Sequence, residues 1–420
     1  MQFTSPLSLL LTLCVLSVAR AHVSVPITSH VDVSRLREIA SVDRARSSSL
    51  RLASKIRASG KGGALESRFK NAAITNGVVS YTIELGVGTP PTDYKLLVDT
   101  GSSNTWIGAG KAYTKTSTSV DTKQAVAVQY GSGSFSGEEY TDTVQLSPHL
   151  IITKQSIGVA NLSKGLDRYD GILGVGPDAL TKGTVTGAGV IKTVTTNLFQ
   201  QGTIEANALG MYLAPSLENG TQGFLSFGGP DNSLYEEPLR YTQITNTSPA
   251  SQYVGIDASF GFSGLELDVG GDLVGLHLLE TPILNSTAGI VDSGTSLILL
   301  ATEAFKAYQS VTEAVIDNAT GLLSVTNEQF DAMRNLLVNV DGVNYPLTPD
   351  AQRFPAKFNS QIGGQPGKIY LVINDLGSHG ESGLDFILGM YFLQRFYHVY
   401  DAGANRVGFA RTQYTTQNIS

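Results

Sequence analysis

The chain has 420 residues, a formal net charge of −7, 45 glycines, 15% charged residues and one cysteine. That length allows two or three domain-sized units, and the glycine-rich, charge-poor profile suits a turn-dense β protein better than a helical one. No apolar run of 18 residues lies beyond the N-terminus, so no membrane-spanning helix is expected, and the acidic balance argues against nucleic-acid partners.

Leu7 to Ala19 is an apolar stretch, and Ala19-Arg20-Ala21 follows it as a small-x-small cleavage pattern. Residues 1–21 therefore read as a secretory signal peptide. Cys14 lies inside it, so the mature chain is expected to hold no thiol, disulfide or cysteine-bound metal. Residues 22–72 read as a propeptide. Within 22–71, ten Lys and Arg stand against four acids, a net of +6; with Arg20 set aside, the remaining 18 basic and 32 acidic residues give −14. A basic leader on an acidic body suggests a removable segment whose cations pair with cleft carboxylates near neutral pH and are released as those carboxylates protonate. Lys70, Lys55 and Arg57 are candidates for the cation that caps the site, and the sequence does not choose among them. Ser47-Ser48-Ser49 and Gly60-Lys61-Gly62-Gly63 read as disordered, and the mature chain is expected to begin near Ala72 or Ala73.

From Val78 onward, short β-branched and aromatic runs alternate with Gly, Asn, Asp and Ser, as in Val79 to Leu85 and Tyr94 to Val98. Such spacing predicts an all-β fold. Helices are expected at Thr302 to Val315 and at Asn327 to Val338, the latter capped by Thr326 or Asn327, with about one turn at Asn197 to Gln201. Two lobes are expected, 73–245 and 246–420. Six N-x-Ser/Thr triplets, beginning at Asn161, Asn219, Asn246, Asn285, Asn318 and Asn418, fit exposed loops of a glycosylated secretory product.

Two stretches carry the chemistry. Leu97-Val98-Asp99-Thr100-Gly101-Ser102-Ser103 is echoed 193 positions later by Ile290-Val291-Asp292-Ser293-Gly294-Thr295-Ser296. One copy alone would be ordinary turn chemistry, since Asp caps its own backbone and Gly supplies positive φ. Two copies, each after an apolar strand-like run, point to related lobes contributing one carboxylate apiece to a shared site. Asp170-Gly171-Ile172-Leu173-Gly174 and Asp385-Phe386-Ile387-Leu388-Gly389 extend the repeat, their glycines allowing close backbone passage. Six histidines without clustered spacing argue against a metal site, and no cofactor is implied.

Together with Trp106, the segment Gln129 to Gly137 (Gln-Tyr-Gly-Ser-Gly-Ser-Phe-Ser-Gly) and the end segment Arg395 to Asp401, these motifs make residues 74–412 resemble the pepsin-family aspartic proteases. The resemblance is strongest to the cysteine-free polyporopepsin-type enzymes secreted by basidiomycete fungi. It implies a bilobal fold of two β-barrel-like lobes with a few short helices and a cleft between them. It also implies that Asp99 and Asp292 activate a water, one ionised and one protonated. Ser102 and Thr295 would hydrogen-bond the outer carboxylate oxygens, and Gly101 and Gly294 would bring backbone N–H groups to them. Tyr130, Ser132 and Gly133 would belong to a flap over the substrate, with Tyr130 bonded towards Trp106 and Trp106 walling an apolar pocket.

The implied activity is a monomeric acid endopeptidase acting on proteins and peptides with apolar residues around the scissile bond. Its own propeptide and pepstatin-like compounds would inhibit it, and it would be secreted or, alternatively, vacuolar. Met390 stands where many relatives have Asp, so altered packing is expected there. The other functional class is a catalytically silent binding or inhibitor protein on the same fold. Such a protein would usually lack an Asp or its hydroxyl partner, and this chain keeps all of them. A secreted glycan-binding β protein accounts for the composition but not for the paired motifs.

Overall fold

The chain's β-branched and aromatic runs form two large sheets, seen here in a computed structural model. It describes residues 22–58, 79–130, 133–166, 168–215, 222–264, 267–269, 272–274, 281–380 and 382–419. In chain order the first elements are β1 (Val23–Val31), α1 (Ile39–Ala58), β2 (Val79–Val87), β3 (Thr92–Asp99), β4 (Thr105–Ile107), β5 (Val120–Tyr130), β6 (Gly133–Ser147), β7 (Leu150–Lys164) and β8 (Gly171–Gly174). Then come α2 (Val194–Gln200), β9 (Ala208–Tyr212), β10 (Gln222–Phe227), β11 (Glu236–Gln243), β12 (Gly255–Phe262), β13 (Leu267–Val269), β14 (Asp272–Val274), β15 (Thr281–Val291) and β16 (Ile298–Leu300). The rest are α3 (Thr302–Thr312), β17 (Val315–Ile316), β18 (Leu323–Val325), α4 (Asn327–Asp331), β19 (Leu336–Val340), β20 (Val343–Leu347) and α5 (Pro349–Gln352). The chain closes with β21 (Ile369–Tyr370), β22 (Ile373–Asp375), β23 (Phe386–Leu388), α6 (Met390–Leu393), β24 (Phe396–Asp401) and β25 (Arg406–Arg411).

Thirteen strands form one sheet, in the order β11-β25-β24-β9-β10-β1-β2-β3-β8-β4-β7-β6-β5, and seven form another, β20-β19-β12-β15-β23-β16-β22. The larger sheet thus takes in β24 and β25 from the end of the chain. Each sheet contains the same local weave. β3 runs parallel to β8, which runs antiparallel to β4; β15 runs parallel to β23, which runs antiparallel to β16. A glycine closes the middle strand each time because two backbones pass there. A Cβ on Gly174 would lie 2.6 Å from the Ser103 Cα, and one on Gly389 would run into the Leu297 carbonyl.

The main core is built from Leu, Ile, Val and aromatic side chains of both sheets. A second, smaller cluster lies beneath the β5–β6 hairpin around Trp106, which stacks on Phe135 with ring centroids 4.2 Å apart. Among the described residues, no helix is long and apolar enough to cross a membrane.

Three local expectations are corrected. Ser47 to Ser49 lie inside the 20-residue helix α1, so this part of the leader is ordered. The helix from Thr302 ends at Thr312, where Glu313 takes a left-handed conformation (φ 53°) and the chain turns into β17. The helix from Asn327 stops at Asp331, because Leu336 to Val340 alternate buried and half-buried and pair with β12 and β20. Its start is as expected, with Thr326 forming a reciprocal capping box with Gln329. The turn at Asn197–Gln201 is part of α2. Gly60 to Gly63, Ala72 and Ala73 lie outside the described residues. So does Asn219, whereas the other five triplet asparagines are exposed.

Candidate active site

Asp99 is the last residue of β3, and Asp292 follows directly on β15. The parallel partner strands hold both: Asp99 pairs with Gly174, and the Asp292 N–H donates to the Leu388 carbonyl at 3.1 Å. Both carboxylates are fully buried. Around them the two motifs make the same bonds. Ser102 Oγ donates to Asp99 Oδ2 and Thr295 Oγ1 to Asp292 Oδ2, both at 2.6 Å. The Gly101 N–H donates to Asp99 Oδ1 at 3.0 Å and the Gly294 N–H to Asp292 Oδ1 at 3.1 Å. A Cβ on Gly101 would stand 2.5 Å from Asp292 Oδ1, so glycine is required where the two motifs meet.

The residues between Asp and Gly lock the motifs to one another. The Ser293 N–H donates to Thr100 Oγ1 at 2.9 Å, and the Thr100 N–H donates to Ser293 Oγ at 3.1 Å. Their hydroxyls reach further across the pair: Thr100 Oγ1 donates to the Val291 carbonyl at 3.4 Å and Ser293 Oγ to the Val98 carbonyl at 3.3 Å. The sequence alone assigns these two hydroxyls no role. Their matched positions were the available signal.

A leader residue sits between the two carboxylates. Arg46 Nη2 donates to Asp99 Oδ1 at 2.6 Å and to Asp292 Oδ1 at 2.7 Å, while its Nε donates to Asp292 Oδ2 at 2.6 Å. Burial alone would lower the arginine's pKa, but the two carboxylates hold it above the ordinary value. Burial alone would likewise raise Asp292, yet Arg46, Thr295 and Gly294 together hold it below the usual carboxylate range.

The capping cation is therefore not one of the three named from sequence. Lys55 is exposed on α1, Lys70 lies outside the described residues, and Arg57 is turned to Gln252 and Tyr253. One turn before Arg46, the buried Asp43 accepts the Ser296 N–H at 3.0 Å and the Leu297 N–H at 2.7 Å through Oδ2. Burial pushes its carboxyl up to about 7 despite those bonds.

The hairpin expected at Tyr130 to Gly137 is the β5–β6 turn, with Tyr130 opposite Gly133. Gly131 and Ser132 lie outside the described residues. Tyr130 is buried beside Trp106, the rings stacked with centroids 6.4 Å apart at 24°. Burial holds the Tyr130 hydroxyl well above its ordinary pKa, with the Trp106 indole N–H and the Ser102 hydroxyl opposing, although neither the Tyr130 hydroxyl nor the Trp106 N–H makes a hydrogen bond of normal geometry among the described residues. Trp106 itself is fully buried. Met390 is fully buried too, and its N–H donates to the Thr295 carbonyl at 2.8 Å, so an apolar side chain packs directly behind the second motif.

Residues 80–412 match the family model for eukaryotic aspartyl proteases. The chain belongs to that family. The protease is 50% identical over 345 residues to polyporopepsin of Irpex lacteus, a match covering 81% of this chain and 97% of that protein. It is 27% identical over 358 residues to vacuolar protease A of Arthroderma otae, covering 79% of this chain and 78% of that protein. The crystal structure of the aspartic proteinase from Irpex lacteus superposes with a TM-score of 0.75 at 49% identity, over 81% of this chain and 96% of that one. The protease is thus a pepsin-like, aspartic-type endopeptidase with the bilobal fold of that group.

Proposed function

We propose that this chain is the precursor of an acid endopeptidase in which Asp99 and Asp292 activate one water. The observation that carries the reading is the pair of buried carboxylates, each with one hydroxyl and one glycine N–H on it, both reaching the same guanidinium nitrogen. Two carboxylates that close cannot both ionise readily without a cation, so in its absence one holds a proton. The ionised partner takes a proton from water, whose oxygen adds to the peptide carbonyl, and the protonated partner donates to the carbonyl oxygen. Collapse of the tetrahedral adduct returns a proton to the amine and breaks the C–N bond.

Residues 1–21 act as a signal and 22–72 as an inhibitory propeptide, with the lobes at 73–245 and 246–420. The hairpin around Tyr130 serves as the flap, and Trp106 with its cluster backs an apolar subsite. Arg46 keeps the precursor latent at neutral pH. Because its pairing lowers the Asp292 pKa, the stabilisation of the docked leader is present above the ordinary carboxylate range and is lost as pH falls through the lowered value. Acid then releases the leader. The apolar N-terminal stretch supports entry to the secretory pathway, ending outside the cell or, as the name of the Arthroderma relative suggests, in a vacuole.

The purified full chain should be stable and inactive on haemoglobin at about pH 7, shorten itself at about pH 3, and then digest haemoglobin until a pepstatin-like inhibitor is added. A chain that stays intact and inactive in acid would overturn this reading.

A further inference from the structure

The leader helix makes a second contact inside the cleft, away from the dyad. Arg57 lines the same cavity as Gly101, Ser102 and Tyr130. Its Nε donates to Gln252 Oε1 at 3.0 Å, its Nη2 donates to the Tyr253 hydroxyl at 2.6 Å, and its guanidinium carbon stands 5.2 Å from the centre of the Tyr253 ring. The same hydroxyl donates to the Leu50 carbonyl at 2.8 Å. Tyr253 therefore offers an acceptor and a ring face to a cation and, at once, a donor to a main-chain carbonyl. A bound peptide brings both of those groups.

The receptor is tied to the catalytic strand. Tyr253 is 2% exposed beneath the helix, and its N–H donates to the Ala250 carbonyl at 2.9 Å. The next residue, Val254, accepts the Val291 N–H at 2.9 Å, one position before Asp292. When α1 leaves, Gln252 and Tyr253 face the cleft with a vacated fork of two acceptors over an aromatic face. That fork matches the planar, two-donor edge of arginine; an ammonium group is a compact, strongly hydrated point charge without that fixed edge.

We propose that Gln252 and Tyr253 form a guanidinium-accepting subsite, which selects peptides carrying Arg at one position near the scissile bond in addition to any apolar preference at the bond itself. The proposal rests on the endopeptidase reading above. The test is a positional peptide library digested by the acid-matured enzyme, with cut sites read by mass spectrometry. Arg should be enriched over Leu about tenfold at a single position, and over Lys roughly threefold. Tyr253→Phe, which keeps the ring and removes the hydroxyl, and Gln252→Leu should each pull the Arg-to-Leu ratio towards one.

A leader peptide spanning residues 36–58 with Arg57→Leu should also bind the matured enzyme at about pH 7 about tenfold less tightly than the native peptide, read by calorimetry. A library cut without Arg enrichment at any position, or with enrichment unchanged in both variants, overturns the subsite alone. A library left uncut by the wild-type enzyme overturns the endopeptidase reading, and the subsite with it.

Discussion

The two Asp motifs are built alike, but the leader treats them differently. Asp292 receives two bonds from Arg46 and Asp99 one. Asp43 caps the N–H groups of Ser296 and Leu297 and, among the described residues, makes no matching bond beyond Asp99. Ser47 bonds the Leu376 carbonyl, Arg51 the Leu376 and Gly377 carbonyls, and Arg57 the Gln252 and Tyr253 side chains. The helix is thus seated on the C-terminal half, while strand β1 belongs to the sheet of the N-terminal half, between β10 and β2. Near-symmetry suits the proposed chemistry, in which both carboxylates are needed; asymmetry suits the proposed latency, which needs only one firm seat.

The largest effect should ignore the asymmetry. Asp99→Asn and Asp292→Asn should each abolish self-shortening at about pH 3 and, once the leader has been cut by an added protease, lower kcat by several orders of magnitude, towards a millionfold, because the pair acts as a unit. An order-of-magnitude gap between the two would break the equivalence. Leader binding should reveal the asymmetry instead. A peptide of residues 36–58, titrated calorimetrically against the two inactive variants, should lose about a hundredfold in affinity at Asp292→Asn and about tenfold at Asp99→Asn. Equal losses would mean that the second bond to Asp292 adds nothing.

The halves also carry buried titrating groups of opposite sign. Burial pushes Glu139, in β6, up to about 7, with a Ser156 hydrogen bond opposing. A folded-state pKa above the unfolded one gives stability that is present below the ordinary glutamate value and lost as pH rises through about 7. Glu139→Gln should therefore raise Tm relative to wild type at about pH 8 and lose that advantage at about pH 4, a differential of about 2 kcal/mol. Burial lowers His398, in β24, to about 3. Its contribution is present above the ordinary histidine value and lost as pH falls towards that lowered one, so His398→Phe should help most in acid. Melting curves across pH decide both.

The smallest effect compares the acids that open the Ile-Leu-Gly segments. Asp170 Oδ2 accepts the Lys95 N–H at 2.8 Å, whereas Asp385 accepts from Ser382 through Oδ1 and from Thr287 Oγ1 at 2.7 Å through Oδ2. Each Asp→Ala change should cost about 1–3 kcal/mol with little change in kcat. The Asp385 change should be the worse, since it strands more partners.

What could be read from sequence was local. Each carboxylate with its hydroxyl and glycine partners lies within one short motif, as does the hairpin, and the structure brings Ser102 and Gly101 onto Asp99 and Thr295 and Gly294 onto Asp292. The leader helix was hidden for a physical reason. Its buried face includes Ile39, Asp43, Arg46, Ser47, Leu50 and Ser54, at helical spacing, but four of those six are polar because the helix plugs a polar site. An apolar-period search passes over such a stripe. Asp43 and Arg46, one turn apart, were the legible pair. Gln252 and Tyr253 had no motif at all, since their role depends on a contact with Arg57 almost 200 residues earlier.

Strand β1 makes the leader a tethered ligand. It pairs with β10 from Val23 to Thr28 and with β2 from Thr28 to Val31, so a chain cut beyond α1 frees one end of the helix only. The other end stays stitched into the sheet, and a short tether holds its cargo at an effective concentration on the order of millimolar. Scission and opening are then separate events. The interval between them is set by how fast a strand unzips from the middle of a sheet, not by how fast a peptide bond is cut.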